Sequence, residues 1–434
     1  MNQKSKNILK AINIDITKTQ FFGETLIYMG IGLIIGIIVA FFEFIFAKGI
    51  EIVTNLRLSH GGTLWLLALP IFGLLIVYVF DHFGGKSKQG MALAFKIERG
   101  EETSIPKRTL SLMALATWLS HLAGASVGKE GVGMQIGATV SNTLTRKLPV
   151  LKNRKTIFVL TGMAAGFAGL FGTPFTAIFF AMEIFVSGVI EFKALAPVVM
   201  ASISAAKVTA LLGLHAESFT LGLDLQFELF TYGWKLVLLG IIFGFVGALF
   251  ARTMHFAHHF FEKVFPNDYV RILVGAIGVG LLLWLLWDGR YSGSGASLIE
   301  AVFHGETIYA WDFILKFILT ALCLSIGFIG GEVMPLFTIG ATLGAVIAPF
   351  FGLPAIFGAA LGYAAVFGAG TNTWLASIMV GAEVFGFQFF PFFFVCSTVA
   401  YLFNGNCSIY ALQRNLSLAF MMEDADENVK PQIK

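Results

Sequence analysis

The stretch Gly124-Ala-Ser-Val-Gly-Lys-Glu-Gly-Val-Gly-Met-Gln-Ile-Gly-Ala-Thr139 decides the fold, because the chain writes its frame twice. Gly124, Gly128 and Ile136-Gly-Ala-Thr139 recur as Gly327, Gly331 and Ile339-Gly-Ala-Thr342, every position displaced by 203 residues. Downstream, Gly162, Ala164, Ala165, Phe167, Thr173, Ile178, Glu183 and Phe185 recur 200 residues later, ending in Thr373, Ile378, Glu383 and Phe385. Upstream, Gly32 and Gly36 match Gly240 and Gly244 at a displacement of 208, and Gly73 and Asp81 match Gly280 and Asp288 at 207. Four blocks in one order with small insertions mark an internal duplication.

The residues between these blocks name the solvent. Of 434 residues, 57% are hydrophobic and 13% charged, where a soluble domain carries roughly 25% charge. Leu26 to Phe46, Trp65 to Phe80, Leu236 to Ala251 and Ile272 to Trp287 approach the length that crosses a bilayer. An all-α integral membrane protein follows, its domains being residues 1–24 as an interfacial cytoplasmic segment, 25–214 and 233–416 as two membrane repeats, 215–232 as a linker and 417–434 as a short acidic tail too small for a regulatory domain. Glycines after which short apolar segments begin, such as Gly90, Gly128, Gly331 and Gly405, predict many short or broken helices. Backbone that starts at membrane depth must line a cavity or be buried in protein. Its free N–H groups then form an anion site without any cation.

Charge gives weaker information. Lys4, Lys6, Lys10 and Lys18, with Arg146, Lys147, Lys152, Arg154 and Lys155, favour the cytoplasmic side. The net charge of +3 is dispersed and gives no reason to expect nucleic acid as a partner. Cys323, Cys396 and Cys407 lack metal-ligand spacing and read as small hydrophobes. His255, His258 and His259 share a helical face but have no acidic or Cys companion, so they read as an interfacial helix end and metal is left out. The chain carries no phosphate-binding loop, zinc-protease or hydrolase motif, so neither an enzyme nor a cofactor is expected.

Glu130 stands at a glycine-flanked helix start between apolar stretches. A carboxyl at that depth is a functional candidate by default, the bland alternative being a capping glutamate at the water interface. In the second copy, Gly330-Gly-Glu-Val-Met-Pro335, Val333 takes the place of Glu130 and Glu332 that of Lys129. The expected role of Lys129 and Glu332 is a buried structural ion pair with each other, away from any ion.

Gly128-Lys-Glu-Gly-Val-Gly-Met-Gln-Ile-Gly137 resembles the gating-glutamate motif of the CLC anion channels and proton-coupled antiporters. Gly330-Gly-Glu-Val-Met-Pro335, Phe171 to Glu183 and Ser408-Ile-Tyr-Ala-Leu-Gln413 resemble further blocks of that family, so the likeness spans nearly the whole chain. Chloride-handling members read GSGIP in the first filter segment, and this chain has Lys88-Gln-Gly-Met-Ala92. Met91, the absence of Pro after Gly131 and the Gly-Gly-Glu-Val start resemble the bacterial fluoride/proton antiporter branch. Ile184 stands where chloride antiporters carry an internal proton-transfer glutamate.

What the resemblance implies is a CLC-type fold with two repeats, expected to be inverted, forming a homodimer in a bacterial plasma membrane. Each subunit would exchange fluoride for protons, with Glu130 as gate and proton carrier. Gly90, Met91, Gly131, Val333 and Met334 would bind the anion, and Tyr410 would form the inner constriction. A chloride/proton antiporter or a passive anion channel on the same fold is the alternative. Gly293-Ser-Gly-Ala-Ser297 imitates the chloride filter, and Ser294 precedes Val333 by the same 39 residues that separate Met91 from Glu130. It reads as a helix-start turn outside the filter.

Overall fold

A computed structural model of the chain describes residues 3–415 except 61, 147–150, 152–153, 217 and 224–227, with side chains described from residue 22 onward. Lys147, Lys152, the acidic tail and the side chains of the first lysines therefore lie outside the described residues.

The duplication becomes two sets of eight helices in the same order. The first half runs α1 (Gln3–Ser59), α2 (Leu69–Val79), α3 (Ala92–Glu98), α4 (Arg108–Ala123), α5 (Glu130–Thr145), α6 (Lys155–Phe171), α7 (Pro174–Glu183) and α8 (Leu195–Leu211). The second runs α9 (Leu229–Val264), α10 (Asp268–Leu285), α11 (Ala296–Phe303), α12 (Asp312–Ile326), α13 (Val333–Ile347), α14 (Ala355–Thr371), α15 (Trp374–Phe385) and α16 (Phe390–Phe403). The first helix passes without a break through the expected boundary at residue 24, and α9 begins four residues before the expected start of the second repeat.

Among the described residues, six helical stretches are long and apolar enough to cross a membrane, the longest being Phe22–Ser59 and Gly62–Glu98. Others are short. The 10 residues of α7 rise about 15 Å at 1.5 Å per residue, half of a hydrocarbon core roughly 30 Å thick. Pro174 opens this helix at a position where a missing N–H costs nothing. In both halves a glycine lets two helices touch backbone to backbone: Gly137 of α5 meets Gly162 of α6, and Gly340 of α13 meets Gly362 of α14. A methyl group at Gly137 or Gly340 would strike the facing carbonyl.

The halves are inverted. Glu183 at the end of α7 accepts from Leu375 N (3.0 Å) and Ala376 N (3.2 Å) at the start of α15. Glu383 near the end of α15 accepts from Phe175 N (2.8 Å), Thr176 N (2.6 Å) and Thr176 Oγ1 (2.5 Å) at the start of α7. Equivalent helices that cap each other's starts run antiparallel, so the axis relating the halves lies across them, the arrangement of inverted-repeat transporters. A two-residue parallel pairing of β1 (Val186–Ser187) with β2 (Arg414–Asn415) ties the segment after Tyr410 back to the first half.

Candidate functional site

At the centre, the glycine loops of the two halves form a reciprocal backbone bridge: Gly128 N donates to Gly331 O at 2.7 Å and Gly331 N to Gly128 O at 2.8 Å. A Cβ on Gly128 would lie 2.8 Å from Gly331 O and 3.0 Å from Pro335 Cδ, and one on Gly331 would lie 2.8 Å from Gly131 N. Only glycine permits this approach, which brings the starts of α5 and α13 together. Two helix starts facing one point concentrate unsatisfied N–H groups and the positive ends of both dipoles there.

Glu130, the first residue of α5, fills that point with 0% exposure. Its Oε2 accepts from Lys129 N (3.0 Å) in its own half and from Met334 N (3.1 Å) in the other. Its Oε1 is buried without a hydrogen-bond partner. The carboxylate thus occupies the position that the two helix starts would offer to an anion.

Cavities approach this carboxyl from two sides. The first, about 370 Å³, is bordered by Gly90, Met91, Met113, Gly131, Glu332 and Tyr410. The second, about 580 Å³, is bordered by Arg57, His121, Lys129 and the turn from Gly293 to Ala296. Lys129 faces one cavity and Gly131 the other, while Glu130 between them borders neither.

Four of the anion-binding candidates, Gly90, Met91, Gly131 and Tyr410, meet on the first cavity. Met91 sits in the turn that leads into α3. The Tyr410 hydroxyl is buried without a hydrogen-bond partner and interacts electrostatically with Glu332 and Glu130, while its ring lies 5.7 Å from that of Phe95. Val333 and Met334 are fully buried and border neither cavity; Met334 reaches the site through its backbone N–H alone.

Two expectations need correction. Lys129 and Glu332 are not an ion pair: they border different cavities, and no ion pair of either is found among the described residues. The bridge places their positions on opposite sides of the centre, so Glu332 faces the first cavity beside Gly131 and Tyr410. His258, exposed near the end of α9, also borders the first cavity with Arg271 and Glu262. The symmetry of Met91 and Ser294 is also off by two residues. Gly90 faces Met113 and Gln135, while Gly295 faces Lys316 and Thr338, so the counterpart of Met91 is Ala296. The two turns open to different cavities.

Among the buried charges that escaped the sequence reading, two lie near the site. Lys316 of α12, 0% exposed, donates to Gly293 O (2.7 Å), Ser126 Oγ (2.9 Å) and Tyr291 O (3.3 Å), holding the second turn in place. Glu43 of α1, also 0% exposed, lies against Gly133 and Gly166 with both oxygens lacking a hydrogen-bond partner. Each is a lone charge inside an apolar run, which is the signal that would have found it.

Against known proteins, residues 72–405 match the family model described as voltage gated chloride channel. A chloride/fluoride channel protein of Pseudomonas syringae pv. tomato is 31% identical over 376 residues, covering 85% of this chain and 82% of that protein. An H(+)/Cl(-) exchange transporter of Cronobacter sakazakii is 30% identical over 234 residues, 51% of this chain and 49% of its own. Among solved structures, a CLC-type fluoride/proton antiporter is similar at 42% identity and TM-score 0.88, covering 91% of this chain and 99% of that one. A slow cyanobacterial Cl-/H+ antiporter, at 18% identity and TM-score 0.77 over 92% of this chain and 99% of its own, shares the fold.

Proposed function

We propose, for a chain that belongs to the voltage gated chloride channel (CLC) family, that it exports fluoride in exchange for protons and that Glu130 couples the two movements. The observation that carries this reading is a single buried carboxyl between two cavities, held by N–H groups of both halves. Ionised, Glu130 competes with the anion for the helix starts. Protonated, it loses its advantage at those donors, releases the position and takes a proton with it. On this reading an ion or a proton that passes from one cavity to the other displaces Glu130.

On the first cavity, Gly90, Met91, Gly131 and Tyr410 would receive the anion, with Val333 and Met334 forming the wall behind Glu130. Ile184 offers no proton, and Glu332, between Gly131 and Tyr410, is the carboxyl placed to pass one toward Glu130. Fluoride is strongly hydrated and gains nothing from a thioether, so Met91 acts by narrowing the path against larger anions. Both cavities and the carboxyl belong to one chain, which supports a complete pathway in each subunit of the proposed homodimer. The similarity to a fluoride/proton antiporter at 42% identity supports fluoride as the ion.

The test is flux from liposomes recorded with ion-selective and pH electrodes. Fluoride should leave much faster than chloride, each fluoride accompanied by a fixed number of entering protons. Equal anion rates would move the reading to a chloride/proton antiporter, and flux without proton movement would make the protein a channel.

A further inference from the structure

We propose that the second cavity is a binding site in its own right for a small inorganic anion, held chiefly by Arg57 and Lys129. Arg57 lies on α1, 6% exposed, and borders this cavity. Its Nη1 donates to Ser292 Oγ at 3.0 Å, but its Nε is buried without a partner. No carboxylate pairs with it among the described residues. A buried guanidinium with an open donor is costly unless something of opposite charge completes it. His121, 3% exposed on the same wall, also has a ring nitrogen, Nε2, without a partner.

The surroundings set the sign of the ligand. Lys129 borders the cavity one residue before Glu130, and behind the Gly293 turn lies the buried ammonium of Lys316, bonded to carbonyls and a hydroxyl and not to a carboxylate. Arg290 at the edge is already paired with Asp312 at 2.8 Å. The acidic groups that border the cavity, Glu51, Asp288 and Glu300, are exposed, and Glu51 is engaged by Lys48 at 2.7 Å. Glu43, packed against Gly133 and Gly166, does not border this cavity and leaves Arg57 uncompensated. The deep wall is therefore cationic and the rim mixed, which selects an anion small enough to reach Arg57 and Lys129 together. On the first cavity the counterpart of Lys316 is Met113, and the arginine there, Arg271, is paired with Asp268 at 2.7 Å.

Choosing fluoride and chloride as probes rests on the anion-transport reading, while the site itself does not. Sodium fluoride and sodium chloride are titrated calorimetrically into the full-length protein in detergent and halide-free buffer. With Glu130 ionised and holding the central position, the wild type should bind an anion in the second cavity, told apart from any anion on the first cavity by its loss in Arg57→Met and Lys129→Met. Glu130→Gln should bind a second anion in addition, at the centre. Arg57→Met and Lys129→Met should each weaken the second-cavity anion at least tenfold, and Arg57→Lys should keep it within about threefold of wild type. Where Arg57→Met does not fold, Lys129→Met and Arg57→Lys carry the decision. Unchanged binding in Lys129→Met, or an anion stoichiometry in the wild type that is zero, overturns the proposal. Failure of the fluoride reading would appear in the flux assay as equal anion rates and would leave this binding result standing.

Discussion

Two pairs of equivalent residues cross between the halves and have fared differently. At α7 and α15 both halves keep a glutamate, and Glu183 and Glu383 cap each other's helices in the same way. At α5 and α13 one half keeps Glu130 while the other has Val333. A symmetric pair satisfies N–H groups that both helix starts expose, a need that duplication creates twice. The asymmetric pair meets no such need: one carboxyl serves both starts at once, and a second at Val333 would crowd a like charge into the same buried point. Retained symmetry serves the scaffold, and the broken symmetry falls at the position proposed as the working site.

The largest expected effect falls on the asymmetric pair. Glu130→Gln keeps the shape of the side chain but cannot exchange a proton near neutrality. The variant should elute as a folded oligomer, and proton uptake driven by an anion gradient in liposomes should vanish. Undiminished uptake would remove Glu130 from the mechanism and erase the contrast with Glu183 and Glu383.

On the symmetric side, Glu383→Ala and Glu183→Ala should act on stability. Hydrogen bonds to charged groups contribute about 1.5–3 kcal/mol each and leave buried donors open when lost. Glu383 accepts three such bonds and Glu183 two, so both variants should unfold at lower temperature, Glu383→Ala more so, by roughly 1 kcal/mol or more. A thermal scan in detergent reads this. If Glu183→Ala instead left stability untouched and abolished coupling, that position would have to move to the working site.

A smaller effect is expected at the two turns. Met91→Ser should change the fluoride-to-chloride flux ratio several-fold, since it widens the first cavity and adds a donor. Ser294→Ala should leave that ratio within experimental error, its turn opening to the other cavity. A ratio altered by Ser294→Ala alone would mean that discrimination belongs to the second half.

How much of this the sequence disclosed follows from which contacts are local. The 203- and 200-residue displacements foretold the pairing of α5 with α13, α6 with α14 and α7 with α15, because glycine spacing and helix starts are written in consecutive residues. Glu130 was legible as a charge between apolar stretches. The Glu183–Glu383 crossing was visible only as two matching letters, since their partners lie 192 to 208 residues away. Lys129 and Glu332 were misjudged for a related reason: matching positions in a duplication suggest contact, but inversion turns their side chains to opposite cavities. His258 was read from its exposed neighbours, and nothing in α9 reveals that α10 brings Arg271 beside the same opening. The two-residue shift between the turns could not be read either, because their spacing to Glu130 and Val333 agrees while their packing against Met113 and Lys316 does not.

The bridge between Gly128 and Gly331 also limits how the protein can move. Two short backbone bonds, a glycine contact with no slack and the carboxyl of Glu130 all join the halves at one level. Swinging the halves apart there would break every one of these links together. Rotating the Glu130 side chain breaks only its own. On the proposed mechanism the middle of the molecule would act as a fixed axle with one movable pawl, alternation between the cavities needing the turn of a single side chain where a rocking of the halves would cost the whole bridge.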